Sequence, residues 1–398
     1  MNKSEIIETI AELINTTPIY DIHTHLFPKS FPGFALYGLD NLLNYHYLIA
    51  EYFRTFEALE PEVFFGLSKE ARSEIIWNEL FVMKTPLSEA TIGVIDIFNT
   101  LGIDSTGSYE KTKESFKNLT NRDDYFEFIF KKAGVSKVVM TNDPLNEEEL
   151  SSWNNQSNQM FDYALRLDSF VNFNGRISFQ DRPYHIPQQT SEYLIKCIEY
   201  VQPRYFAISL SHEFNVATKE YEFLDEVVFP ICKNKQIPIS LMIGVTRQVN
   251  PAYELAGDGV LEKADVSVLT HLCARNPDVK FLVTYLSREN QYELTVLARK
   301  FPNLMPFGIW WFLNIPELIN EITEMRMSLL GNGFIPQHSD ARILEQLIYK
   351  WGRFRSIFTD VLTKRYLELY DKNVPITKDR IQLDINSFFQ TNFQNFIS

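Results

Sequence analysis

From residue 134 onward the chain alternates between short apolar runs and longer segments with apolar residues every three or four positions. That alternation leaves few folds open. The runs that read as strands are Pro18–His23, Ser136–Met140, Phe170–Ser178, Tyr205–Leu210, Ile237–Ile243, Val279–Leu286, Leu304–Ile309 and, weakest by propensity, Gly333–Gln337. Helical patterns cover 157–168, Ser191–Tyr200, Phe223–Lys233, Leu261–Ala274, Tyr292–Lys300 and Pro316–Leu329, with another from about Ala341. A further helix is expected over residues 1–15. Eight strands separated by helices in one chain predict an α/β fold, a distorted (β/α)₈ TIM barrel. An open doubly wound sheet would call for a glycine-rich phosphate turn after the first strand, and none is present.

Residues 35–132 break the pattern. Apolar positions there recur at helical spacing, as in Leu42, Tyr45, Tyr47, Leu48 and Tyr52, then Ile75, Ile76, Leu80 and Phe81. This block predicts a helical insertion at about 30–132, after the first strand, with Ser88 and Asn121 as helix starts. No repeat, low-complexity tract or linker divides the chain, so residues 1–398 are expected to form a single barrel domain with that insertion.

Composition narrows the partners. Lys and Arg number 38 against 51 Asp and Glu, a net charge of −13. So acidic a surface argues against nucleic acid or an anionic membrane as partner. A local basic pocket for a small anion stays compatible with it, as does a homo-oligomer. The three cysteines, Cys197, Cys232 and Cys273, are widely spaced and odd in number, which fits a reducing compartment. The N-terminus lacks the pattern of a signal peptide, and no apolar run would span a bilayer. A cytoplasmic location is expected.

The strongest chemical signal is Asp21-Ile22-His23-Thr24-His25 at the end of the first strand. Strand side chains alternate, so His23 and His25 share a face. At a barrel mouth that face looks into the site, and two imidazoles can hold one divalent ion, zinc or another. A barrel pairs strand eight with strand one, so Asp340, in His338-Ser339-Asp340-Ala341-Arg342, stands beside the histidines as third ligand or base. Its bland reading is an N-cap for a helix starting at Ala341. Arg342 reads as a surface arginine or as a guanidinium fork for a carboxylate. Arg176 at the end of strand three and Arg247 after strand five face the mouth or pair with acidic neighbours. His212 follows a strand end. His271 sits in a helical pattern and His185 in a loop. Of Trp310 and Trp311, one is expected to wall the pocket and the other to pack outside.

These motifs, taken in order, resemble the amidohydrolase superfamily and, within it, the glucuronate/uronate isomerase family. Asn44-Tyr45-His46-Tyr47 with Arg54 is similar to that family's His-Tyr pair reaching the site. Thr141-Asn142-Asp143-Pro144-Leu145 resembles its Thr-Asp-Asp-Pro turn. Ile243-Gly244-Val245-Thr246-Arg247 resembles its Ile-Gly-x-x-Arg loop, Gly308-Ile309-Trp310-Trp311-Phe312 its Trp-Trp-Phe, and Asp340-Ala341-Arg342 its Asp-Ser-Arg. The chain departs from the family at Met242, where a histidine is expected, at Ser211-His212 in place of Asp-His, and at Ala341. The resemblance implies aldose–ketose isomerisation of a hexuronate. It implies a metal at His23, His25 and Asp340. Asp340, Tyr47, His46 and Arg342 would be the catalytic residues, and Arg342, Arg247, Arg176, Trp310 and His212 would contact the sugar acid. A metal-dependent hydrolase of a sugar-acid lactone or amide, and a non-catalytic sugar-acid binder, are the alternatives.

Overall fold

The structure is a computed structural model and describes residues 1–105, 107–153, 159–171 and 187–398. Among the described residues seven strands form one parallel sheet in sequential order: β1 (Ile19–Thr24), β2 (Val135–Asn142), β3 (Phe161–Arg166), β4 (Phe206–Leu210), β5 (Ile239–Ile243), β6 (Phe281–Tyr285) and β7 (Leu304–Pro306). Every residue of β5 and β6 is buried. Parallel strands covered on both faces read as continuous apolar runs for that reason.

An extended strap replaces the expected eighth strand. Phe307 bridges Ile335 in parallel, with Gly308 N donating to Ile335 O at 2.8 Å and Ile335 N to Pro306 O at 3.1 Å. On the far side Asp340 N donates to His23 O at 3.2 Å and His25 N to Ala341 O at 2.8 Å. The sheet is thereby curled and closed, but Gly333–Gln337 forms no strand. Inside it, Tyr20, Ile22, Val139, Ala207, Met242 and Leu282 pack together. At the end where the strands begin, Phe393 of the C-terminal helix Asn392–Ile397 lies edge-on to Tyr20, ring centroids 5.2 Å apart. The opposite end, where the strands finish, stays open to the site.

Two segments differ from expectation. Residues 157–168 carry Met160, Phe161, Ala164 and Leu165 at helical spacing, yet Phe161–Arg166 is β3, pairing Val138 with Phe161 and Asn142 with Leu165. So short an apolar run satisfies either period, and the adjacent strand edge decides. The third strand therefore precedes Phe170–Ser178. Phe170 ends a 3₁₀ turn, and Ser178, with Arg176 and His185, lies outside the described residues. Helix Gln346–Asp371 begins later than Ala341. The Gln346 side chain accepts from Arg342 N at 2.9 Å and Ile343 N at 3.1 Å, so Asp340 is not its N-cap.

Among its described residues the insertion is a series of helices joined by turns and irregular segments, from Leu39–Leu43 to Tyr125–Ala133, with no strand. Ser88 caps Glu89–Leu101 by accepting from Thr91 N, whereas Asn121 closes Tyr109–Thr120 instead of opening a helix. Glu345 pins the insertion to the barrel, its Oε1 accepting from Tyr125 OH at 2.6 Å and Gly38 N at 2.7 Å.

Candidate active site

The β1–β2 register shifts between Asp21 and Thr24. Tyr20 and Ile22 point into the barrel interior, and the irregularity brings His23 and His25 to the mouth as well. Asp21 turns outward and is fully buried. Its carboxylate accepts from Ser339 N at 3.2 Å and Trp351 Nε1 at 2.8 Å, tying β1 to the strap and the long helix. Burial pushes it up to about 6.

Asp340 Oδ1 lies 3.3 Å from His25 Nε2 and 3.8 Å from His23 Nε2. Hydroxyls behind the imidazoles set their tautomers. The Thr141 hydroxyl donates to Thr24 O at 3.1 Å and so accepts from His25 Nδ1–H at 2.8 Å. The Tyr205 hydroxyl donates to Ile22 O and accepts from His23 Nδ1–H at 3.2 Å. A hydroxyl has one hydrogen, and a carbonyl can only accept. Both Nε2 atoms therefore present lone pairs toward Asp340. Burial lowers His23 to about 3 and His25 well below its ordinary value, so both rings are neutral near pH 7. Asp340 Oδ1 is buried without a hydrogen-bond partner. Three acceptor atoms within 4.8 Å of one another, one of them an orphaned carboxylate oxygen, fit a divalent cation. Asp340 adopts φ +51, a left-handed turn that aims its carboxylate at the histidines.

The small inner cavity, about 30 Å³, is walled by Met242, Trp310 and Trp311 and by Arg166, Arg247 and Arg342. Both tryptophans line it, where one was expected to pack outside; Trp311 takes φ +53. Above it opens a chamber of about 480 Å³, sharing His25, His46, Arg166 and Arg342. Burial lowers Arg342, against the opposing pull of Asp340. Arg247 is partly committed: Nη1 donates to Asp258 Oδ2 at 2.6 Å and Nη2 lies 3.9 Å from Asp168. His46 lines both spaces, edge-on to Trp311 at 6.0 Å. Tyr47 is not among the residues lining either; it stacks on Phe312, centroids 5.8 Å apart. His212 lies outside the lining too, its Nδ1 3.3 Å from Thr246 Oγ1. His271 is exposed, 3.1 Å from Tyr221 OH.

Sequence reasoning missed Arg166 and Asp168. Arg166 ends β3, facing the site, and its Nε and Nη2 meet Asp168 at 3.2 and 3.3 Å. Although burial opposes it, Arg166 and Arg247 hold Asp168 below the usual carboxylate range. The signal was present as a strand-end arginine, obscured once the segment was read as helix.

No protein-family model matches the sequence, and neither does any curated protein sequence. Solved structures do match. A uronate isomerase from Bacillus halodurans C-125 shares 39% identity over 100% of this chain and 97% of that one, with a TM-score of 0.93. A uronate isomerase from Thermotoga maritima superimposes at 0.77 with 15% identity, covering 100% of this chain and 99% of its own. A glucuronate isomerase from Caulobacter crescentus does so at 0.79 with 12% identity, covering 99% and 94%. The latter two show the fold. The first, at 39% identity over the whole of this chain, shows that the chain belongs to the uronate isomerase family.

Proposed function

We propose that the chain is an aldose–ketose isomerase interconverting an aldohexuronate and its ketohexuronate, D-glucuronate with D-fructuronate or D-galacturonate with D-tagaturonate. The reaction belongs to glucuronate catabolism. The full-length likeness to the Bacillus halodurans uronate isomerase carries this reading. The likenesses favour neither the hydrolase nor the non-catalytic alternative.

The residues divide the work. His23, His25 and Asp340 would hold the divalent ion, zinc first among candidates, which when bound polarises the sugar carbonyl and the hydroxyl beside it. Arg342, at the junction of both spaces, grips the substrate carboxylate with its planar fork. Arg166 and Arg247 line the inner cavity with it, and Arg176 stays a candidate for contacting the sugar acid. Asp340 is our proton carrier between the reacting carbons, with His46, which lines both spaces, and Tyr47, packed directly behind it, completing the proton-transfer group. Trp310 forms an apolar wall beside Met242. We read His212 as supporting the loop after β5. Residues 1–398 act as one catalytic unit. No described helix is long and apolar enough to cross a membrane. Three buried free cysteines support a cytoplasmic location.

Metal analysis followed by proton NMR with a panel of uronates in D₂O tests the reading. Ketose signals are expected, with solvent deuterium at C1 of the ketose and, through the reverse reaction, at C2 of the aldose. A hydrolysis product, or binding without turnover, would reassign the site.

A further inference from the structure

A cation is buried behind the site without an acidic partner. Lys350, in the second turn of helix Gln346–Asp371, is 4% exposed. Among the described residues its ammonium has a single hydrogen-bond acceptor, Asn314 Oδ1 at 3.3 Å, and no carboxylate within ion-pair distance. An ammonium carries three donors. A methionine would fill similar space without the desolvation cost of a charge. Two aromatic faces supply what acceptors do not: Nζ lies 5.7 Å from the Tyr47 ring centroid and 5.1 Å from that of Tyr349. Burial lowers Lys350 to about 8, with Asp340 opposing the shift.

The lysine joins two parts of the site. Asn314 Nδ2 donates to Ile309 O at 2.9 Å, which turns its oxygen toward Lys350 and braces the loop carrying Trp310 and Trp311. Tyr47 packs on Tyr45 and His46, each at 4.7 Å between centroids, and both of those line the chamber.

We propose that Lys350 is a positioning residue of the isomerase site: its ammonium seats the Tyr47 ring, and through it Tyr45 and His46, and keeps positive charge behind the Tyr47 phenol during proton transfer. This rests on the isomerase reading and on the part given there to Tyr47.

A double-mutant cycle of Lys350→Met and Tyr47→Leu tests it, with kcat, KM and metal content measured on the metal-loaded full chain with D-glucuronate and D-galacturonate. Lys350→Met is expected to lower kcat roughly tenfold to thirtyfold while KM moves less than about threefold and bound metal stays unchanged. On the Tyr47→Leu background the same change should alter kcat less than about twofold. Equal losses on both backgrounds would show the charge acting elsewhere; they overturn the proposal and leave the isomerase reading standing. A fully active Lys350→Met enzyme overturns it as well. Absence of turnover by the unsubstituted, metal-loaded enzyme overturns the isomerase reading itself. Where Lys350→Met does not fold, Lys350→Gln, which drops the charge but keeps a donor for Asn314, runs the same cycle.

Discussion

At the scale of single residues, the site is a problem in repulsion. Two neutral imidazoles aim lone pairs at a carboxylate oxygen that has no donor of its own. Only positive charge among them relieves that arrangement. The wild-type chain should bind a divalent ion stoichiometrically, and the folded His23→Ala/His25→Ala protein should lose it; metal retained by that variant would sink the assignment. Close packing behind His23 is the second residue-scale feature. His338 lies edge-on to His23, centroids 5.5 Å apart. Gly308 sits beneath it at φ +61, where a Cβ would fall 1.6 Å from His338 Nδ1. Gly308→Ala is therefore expected to cost more than about 2 kcal/mol through strain and clash together. Thermal unfolding checks this, and an unchanged Tm would mean that the turn yields freely.

At the scale of elements, β5 brings an apolar side chain to the inner cavity and the short helix after β2 a buried carboxyl to the chamber. Met242 is paired with Ser209 of β4 and Thr284 of β6, buried, and part of the inner wall. A thioether offers no strong hydrogen bond where the family resemblance leads one to expect an imidazole. One missing preorganised donor costs about 10²–10³ in rate. Turnover of both uronates should accordingly fall well below a typical enzyme median of about 10 s⁻¹; steady-state rates near that figure would show that another group compensates. In the short helix Glu147–Ser152 after β2, Glu149 accepts from Asn142 Nδ2, Asp143 N and Trp153 Nε1. Burial nevertheless raises it from 4.5 to about 7. The folded state thus binds this proton more tightly than the unfolded one. The contribution is full below pH 4.5 and is lost as pH rises through 7. The Tm of Glu149→Gln relative to wild type should climb between pH 4.5 and 7.5, and a flat difference would place the titration elsewhere.

At the scale of the whole molecule, a chain of net charge −13 must receive an anion. Arg166, Arg247 and Arg342 all line the inner cavity; Asp168 and Asp258 engage the first two, which leaves Arg342 to meet the anion. Arg342→Met should weaken uronate binding by roughly tenfold to a hundredfold, the worth of a charge-assisted bidentate contact. The matching neutral hexose should be far less affected. Calorimetry on both sugars is the check, and equal losses would give Arg342 a structural role.

Much of the architecture was legible in the linear chain because it depends on neighbours in sequence. Strand and helix periods located six of the seven strands, the Asp-x-His-x-His run pointed to a metal pair, and the ordered motifs pointed to the family. What depends on contacts between distant residues was not legible. Whether Phe161–Arg166 is strand or helix is decided by the edge of β2, and with it the presence of Arg166 and Asp168 in the site. Whether the barrel closes through a strand or a strap is decided by Ile335 meeting Phe307 on one side and Asp340 meeting His23 on the other. The direction of Asp340 depends on a left-handed turn that no propensity favours for aspartate over an N-cap. Burial of Lys350 among tyrosines from two separate helices is likewise invisible in the chain. Periodicity reports which face of an element is apolar. Register, closure and the placing of charge come from the free energy of packing elements against one another, and that sum exists only in the folded molecule.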